Sequence, residues 1–233
     1  MKMIHFLRLA MAASLLTLAS VATQAASITL KYDNNLAAEG APTGRIYSSY
    51  GTPNVYAGEF DFSTSNNTSG IAEWDDGLSA FCVEIGTTLK TTATQYTVNS
   101  GVNLMDYFGT AGSHINRLFS NYYDDAQTSK YNGAAFQLAL WEIINEWPSN
   151  AYSMTSNAFK SDYFAGARTT AQNWLNTLSD TNLATGKYDF HLLEAGNSQN
   201  LLTVTTASVP EPASLLLLMT GLFALFRARR RVR

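Results

Sequence analysis

Between Ser27 and about Val98 apolar and polar residues alternate, the period of half-buried strands. Ser27-Ile28-Thr29-Leu30-Lys31-Tyr32 is one alternating run, Tyr56 to Phe62 is a second, and Leu78 to Leu89 is a third candidate strand. Gly, Asn, Asp and Pro gather between the runs, as in Asp61 to Gly70, and predict turns. From about Asn103 the period becomes helical. Leu104, Tyr107 and Phe108 are followed by Ile115, Leu118 and Phe119 at helical spacings. Gly133 to Trp147 predicts a stronger helix, stopped by Pro148, and Asn157 to Leu178 a third helical region. Strand character returns at Lys187 to Leu193 and Leu201 to Thr206. This order predicts one α+β domain over residues 27–206. Its expected form is a β-sandwich or barrel-like β-structure with a helical subdomain inserted in it or packed on it.

The two ends of the chain differ from this body. Lys2 and Arg8, the apolar stretch Leu9 to Val21 and the small residues Ala22-Thr23-Gln24-Ala25 read as a secretory signal peptide over residues 1–25. Residues 207–233 hold Val209-Pro210-Glu211-Pro212, then the uncharged run Ala213 to Phe226, then Arg227, Arg229, Arg230, Arg231 and Arg233. As a helix those 14 uncharged residues reach roughly 21 Å against a hydrocarbon core of about 30 Å, short for a span taken alone. The arginines beside the run fit a cytoplasmic flank, with the body outside. The order of these three parts resembles the PEP-CTERM sorting tail of Gram-negative, often biofilm-forming bacteria. That resemblance implies an exosortase-type processing enzyme as a partner and an inner-membrane precursor. It also implies a mature form ending near Pro212 at the cell surface or in extracellular matrix.

Composition narrows the function of the body. The chain is 46% hydrophobic and 14% charged, which excludes a disordered polymer. Between the two ends lie eight bases and 17 acids, a net charge of −9. Such a body is a poor match for nucleic acid, whose binding rests on Lys and Arg neutralising phosphates. Cys82 is the only cysteine, so no intramolecular disulfide exists.

One pair of residues suggests chemistry. Gln137 lies in Ala135-Phe136-Gln137-Leu138-Ala139-Leu140-Trp141-Glu142 and shares a helix face with Trp141, four residues on. Glu142 and Glu146 fall at about 140° and 180° from Gln137 by the helical repeat, so they are expected to face water. A buried amide without a partner costs about 1–3 kcal/mol, so Gln137 needs a hydrogen bond or a covalent partner. Cys82, in Phe81-Cys82-Val83-Glu84, is the available nucleophile. Its sulfur and the Gln137 carbonyl could form an internal thioester with loss of ammonia, shielded by Phe81, Phe136 and Trp141. The plainer alternative makes Cys82 a small buried hydrophobe and Gln137 a hydrogen-bonded core amide.

Aromatic-Cys-Val-Glu upstream and Gln-x-Ala-aliphatic-Trp downstream resemble the thioester domains of bacterial surface adhesins. That resemblance implies Cys82 and Gln137 as the bond-forming pair, a β-structure joined to a helical subdomain, and an attachment function. Its expected partner is an unknown surface protein or polysaccharide. A capture of this kind happens once per molecule and needs no cofactor, so the chain is not expected to be an enzyme.

Other chemistries fit less well. A cysteine hydrolase would need His114 or His191 as base, and neither lies in a recognisable motif. Glu142 and Glu146, four apart on one helix, do not form the facing carboxylates of a glycosidase. Asp75-Asp76-Gly77 and Asp124-Asp125 are expected in turns and do not form a full calcium loop. A zinc site lacks ligands, with one Cys and two His in the mature chain. Tyr122, Tyr123, Tyr152, Tyr163 and Trp174 could stack on sugars but read first as packing. The remaining alternative is a passive exopolysaccharide-associated binding protein without covalent chemistry.

Overall fold

The computed structural model of the protein describes residues 25–33, 41–146 and 151–207. The signal peptide and sorting tail of the sequence reading therefore lie outside the described residues, together with Pro148, Pro210, Glu211, Pro212 and the five terminal arginines. No described helix is long and apolar enough to cross a membrane.

Six strands close into an antiparallel barrel. They are β1 (Ser27–Tyr32), β4 (Phe60–Ser65), β5 (Leu78–Cys82), β6 (Thr94–Ser100), β8 (Tyr188–Glu194) and β9 (Leu201–Thr206), in the spatial order β1-β4-β5-β9-β8-β6. Alternation places Ile28 and Leu30 of β1, and Thr94, Tyr96 and Val98 of β6, in the buried set, with neighbours such as Gln95 exposed. A small second sheet, β3-β2-β7, joins β2 (Thr43–Tyr47) to β3 (Asn54–Tyr56) and β7 (Lys160–Asp162). Helices α1 (Leu104–Phe108), α2 (Ala111–Ala126), α3 (Lys130–Glu146) and α4 (Ala167–Thr177) are inserted between β6 and β8. The expected barrel-like β-structure with inserted helices is thus the fold observed.

Phe81 of β5 points at the helical layer. Its ring lies 4.6 Å from Phe136 of α3 and 6.1 Å from Phe119 of α2, centroid to centroid. These contacts fasten the helices to the outer face of the barrel, and offset or edge-on packing of this kind adds to the burial energy.

Several expected boundaries change. Tyr56 to Phe62 is two strands in different sheets, split at Ala57–Glu59. The strand from Leu78 stops at Cys82, well short of Leu89. The Asp61–Gly70 turn cluster is partly strand, since β4 continues to Ser65. Asp75 and Asp76 lie in a 3₁₀ turn, Ala72–Asp76, and Asp124 and Asp125 lie within α2, so neither pair sits in an open turn. Among the described residues no cluster of three or more potential metal ligands forms.

The helix expected over Asn157–Leu178 starts only at Ala167. Lys160–Asp162 pairs with β2 instead, with Ile46 opposite Ser161. Tyr163 and Ala165 then turn through positive φ (68° and 48°) before the helix begins. Pairing across more than one hundred residues decides this segment, and local periodicity cannot see it.

The largest correction concerns Glu142 and Glu146, which do not face water. Every residue of α3 from Gly133 to Ile143 is buried, and Glu146 is 6% exposed. This helix runs through the middle of the molecule and has no solvent face over that length. Its two carboxylates serve the returning segment: Glu142 Oε1 accepts from the Ser153 N–H, and Glu146 Oε1 accepts from the Phe159 N–H at 2.7 Å.

Burial pushes the Glu142 carboxyl up from 4.5 to about 8; the Ser153 hydrogen bond opposes this and the nearby Glu146 charge adds to it. Between those values the folded chain holds a proton that the unfolded chain releases. Stability therefore falls as pH rises through this window, at up to about 1.4 kcal/mol per pH unit. Glu142→Gln is expected to flatten that part of the profile, read from urea midpoints at pH about 5 and about 8. An unchanged slope in the variant would remove Glu142 as its source.

Candidate functional site

The site forms where the β4–β5 ladder ends. β4 pairs Phe60 with Ala80 and goes no further, so by the same register Cys82 would face Gly58. No strand continues there. On its other edge β5 bonds β9, with Cys82 opposite Leu201 and the Val83 N–H donating to Asn200 O at 3.0 Å. Successive residues of a strand point their backbone groups to opposite edges, so the N–H and C=O of Cys82 face the vacated β4 side.

The side chain of Gln137 takes that place. The Cys82 N–H donates to Gln137 Oε1 at 2.9 Å, and Gln137 Nε2 donates to Cys82 O at 2.9 Å. A carboxamide has the same donor and acceptor as a peptide group, so it completes the ladder as one more strand residue would. Helix α3 passes the backbone at Gly58 and Glu59 with Gly133, one turn before Gln137. A Cβ built on Gly133 would already stand 3.7 Å from Glu59 N and 4.0 Å from Gly58 Cα.

Both residues are sealed. Cys82 and Gln137 each show 0% exposure. Burial raises the Cys82 thiol well above its ordinary range, so it is held as the neutral thiol. The sulfur is two covalent bonds from the Cα against which the carboxamide is seated. The carbonyl oxygen of Gln137 already holds a backbone N–H, the kind of donor that steadies negative charge developing on an oxygen. The arrangement therefore seats the Gln137 carboxamide on the main chain of the thiol-bearing residue in a water-free setting.

The three aromatic residues singled out by the sequence do not act as one group. Phe81 and Phe136 pack ring to ring, together with Phe119 and Tyr123. Trp141 lies on another side of α3, with its ring 6.4 Å from Phe159. Its Nε1–H is buried and has no acceptor among the described residues.

Further residues belong to the setting and carry no local signal. Burial raises the phenol of Tyr96 on β6, and its neighbour Cys82 acts in the same direction. The Tyr96 hydroxyl donates to Ser198 Oγ at 2.8 Å and Gln199 O at 3.3 Å. Gln199 Nε2 in turn donates to Glu84 O, two residues past Cys82. The turn at 198–200 thus pins the chain on the far side of the thiol. Only the strand pairing shows this, since the turn is more than one hundred residues from Cys82.

The histidines are occupied elsewhere. His114 Nδ1 meets the Tyr152 hydroxyl, and His191 Nε2 meets Thr205 Oγ1 at 2.9 Å. Of the aromatics weighed for sugar binding, Tyr122 stacks on Trp174 at 5.2 Å, whereas Tyr163 is 77% exposed.

The C-terminal residues 208–231 match the PEP-CTERM protein-sorting motif, an export tag. No curated protein matches the sequence. Several solved structures are similar in fold, three of them as follows. The N-terminal thioester domain of a surface protein from Clostridium perfringens is 11% identical, covers 78% of this chain and 99% of its own, and has a TM-score of 0.43. The N-terminal domain of the Streptococcus pyogenes pilus tip adhesin Cpa is 15% identical, with coverages of 72% and 95% and a TM-score of 0.42. The N-terminal thioester domain of a protein F2 like fibronectin-binding protein from Streptococcus pneumoniae is 15% identical, with 71% and 92% and a TM-score of 0.41. At these identities the likeness is one of fold alone.

The hydrogen bonds at this site go to the main chain of Cys82, which sets an order of stability. Gln137→Ala strips partners from a buried N–H and a buried C=O, at about 1–3 kcal/mol each. Cys82→Ala keeps both bonds and loses one buried atom, about 1 kcal/mol. Denaturant midpoints should therefore fall much further for Gln137→Ala. Equal losses would mean that the carboxamide does not hold α3 to the barrel.

Proposed function

We propose that the chain is an exported surface or matrix attachment protein whose Cys82 and Gln137 join as an internal thioester. The observation that carries this reading is the double 2.9 Å hydrogen bond that seats the Gln137 carboxamide on Cys82. In the bond-forming step Cys82 Sγ attacks Gln137 Cδ. The Cδ–Nε2 bond breaks, and Nε2 leaves as ammonia carrying the thiol proton. The Cys82 N–H stabilises the oxygen of the tetrahedral intermediate, and Cys82 O orients the departing nitrogen.

The thioester then waits as an electrophile. A nucleophile that reaches Cδ forms an ester or an amide, the Cδ–Sγ bond breaks, and the sulfur regains a proton. No cofactor enters this sequence. One molecule captures one partner, so the protein is a single-turnover reagent and not an enzyme. The aromatic layer of Phe81 and Phe136 on one side and Trp141 on the other keeps water from the acyl carbon.

In this reading the sorting tail makes the chain an exosortase substrate in a Gram-negative cell. The arginine-flanked apolar run holds the precursor in the inner membrane, and cleavage near Pro212 releases the body outside.

A second reading is a passive exopolysaccharide-associated binding protein. It is favoured by the same site in another respect: both polar ends of Gln137 are satisfied without a covalent bond, and burial keeps the thiol protonated.

Intact mass separates the two. The exported chain is expected to weigh one ammonia less than its sequence, and methylamine should restore mass by adding at Gln137. Cys82→Ala should show no deficit. A full-mass protein with a titratable thiol after unfolding sinks the thioester and leaves the passive reading. The same spectrum reads whether the chain ends near Pro212.

A further inference from the structure

The outer face of the small sheet carries a charge pattern unlike the rest of the body. Cross-strand pairing puts Arg45 of β2 between Asn54 of β3 and Asp162 of β7, and Tyr47 beside Lys160. These residues alternate with Gly44, Ile46 and Ser161, which are buried, so they share the outward face. Arg168 of α4 joins them, its guanidinium 3.3 Å from the Asp162 carboxylate. Among the described residues that ion pair uses the one carboxylate of the face. Arg45 has only a neutral partner, Asn54 Oδ1 at 3.4 Å, and the Lys160 ammonium lies 5.8 Å over the Tyr47 ring. Three bases therefore meet one acid here, in a body of eight bases and 17 acids. Glu84 and Glu194, at the same end of the barrel, line a separate hollow with Asn200 and lie off this face.

The opposite charge gathers at the far end of the barrel. β2 and β3 lie between Tyr32, where β1 ends, and Phe60, where β4 begins. The 3₁₀ turn Ala72–Asp76 lies between Ser65, where β4 ends, and Leu78, where β5 begins. Small sheet and turn thus adjoin opposite ends of β4, whose six residues span about 20 Å. Glu73, Asp75 and Asp76 of the turn are exposed, as is Asp189 near the start of β8. Barrel closure brings these together: Trp74 lies edge-on to His191 at 5.0 Å, and the charges of Asp189 and Glu73 both act on that histidine. None of the four carboxylates is in an ion pair among the described residues.

Screening decides what two such faces can do. At physiological ionic strength a surface charge is felt over about 8 Å, less than half the length of the barrel. The faces therefore cannot neutralise each other within one molecule, and they can between molecules in contact.

We propose that the outer face of the small sheet docks on the acidic 3₁₀-turn end of a second copy of this chain, so that copies string head to tail. The chain itself brings the matching surface, four exposed carboxylates without a base. Tyr56, opposite Thr43 at the β3 edge, and Tyr163, next to Asp162, are 45% and 77% exposed. They add the aromatic area that a contact between charges alone would lack. Such a contact is heterologous. Each added copy leaves one face of each sign free, so growth does not close at two. The inference does not require the thioester.

The test is sedimentation equilibrium of the exported chain over a range of concentrations and salt. Association is expected to peak near about 0.1 M NaCl. At about 0.01 M the screening length of about 30 Å takes in the whole molecule, and the net charge of −9 repels. At about 1 M a length of about 3 Å masks both faces. At the optimum the average mass should climb past that of a dimer without a plateau. Arg45→Gln with Lys160→Gln should weaken association about tenfold and leave the denaturant midpoint where it was.

Charge reversal supplies the sharper arm. Arg45→Glu with Lys160→Glu in one chain, and Glu73→Lys with Asp76→Lys in another, should each be monomeric alone. Mixed, they should associate, because each altered face then meets its opposite. Association that strengthens steadily with salt, stops at a dimer or survives both pairs of reversals would overturn the proposal. So would a monomer at every salt level, or a mixture that stays monomeric. If the monomer instead binds a uronic-acid hexamer through Arg45 and Lys160, the face serves an anionic polymer and not a second copy.

Discussion

A strand edge completed by a side chain is the constraint on which this molecule turns. β5 keeps its partner β4 only as far as Ala80, and two residues later the missing peptide is supplied by Gln137 from the middle of α3. That substitution fixes more than two hydrogen bonds. It sets the depth of the helix against the barrel, with Gly133 passing Gly58 and Glu59. It also fixes the rotation of α3, which sends Phe136 into the aromatic layer under Phe81 and Trp141 toward Phe159. Helix and barrel are therefore placed by one carboxamide.

The rotation has a consequence for the other end of the helix. With Phe136 and Trp141 on different sides of α3 and both covered, the remaining arc cannot be left to water. Glu142 and Glu146 fall in that arc, and the chain meets them by folding the 151–162 segment back across the helix, where Ser153 and Phe159 donate to the two carboxylates. An acid sealed inside a fold is costly unless hydrogen-bonded or protonated. Here both routes are used, a backbone donor for each and a raised carboxyl for Glu142.

This explains what could be read from the chain alone. Alternation in Ser27–Tyr32 and in Leu201–Thr206 marks strands with one wet face, and the structure has strands there. The placing of Gln137 on an apolar face was legible because an amide among Leu, Ala and Trp has to be satisfied somewhere. The outward placing of Glu142 failed because helical periodicity assumes one buried face, and α3 has none exposed over its central turns. The Asn157–Leu178 segment misled for a related reason: Phe159 and Tyr163 lie at helical spacing, yet between them runs a short strand whose partner is more than one hundred residues away. Tyr96, Ser198 and Gln199 could not be found at all, since only barrel closure brings them to Cys82.

Burial at the proposed acyl site acts in opposite senses before and after the bond forms. Before, it keeps Cys82 protonated, so attack proceeds by handing the thiol proton straight to the leaving nitrogen, with no separate thiolate. After, the same exclusion of water protects the electrophile, because hydrolysis needs a molecule that the sealed site does not admit. A site of this kind is selective by admission more than by intrinsic reactivity.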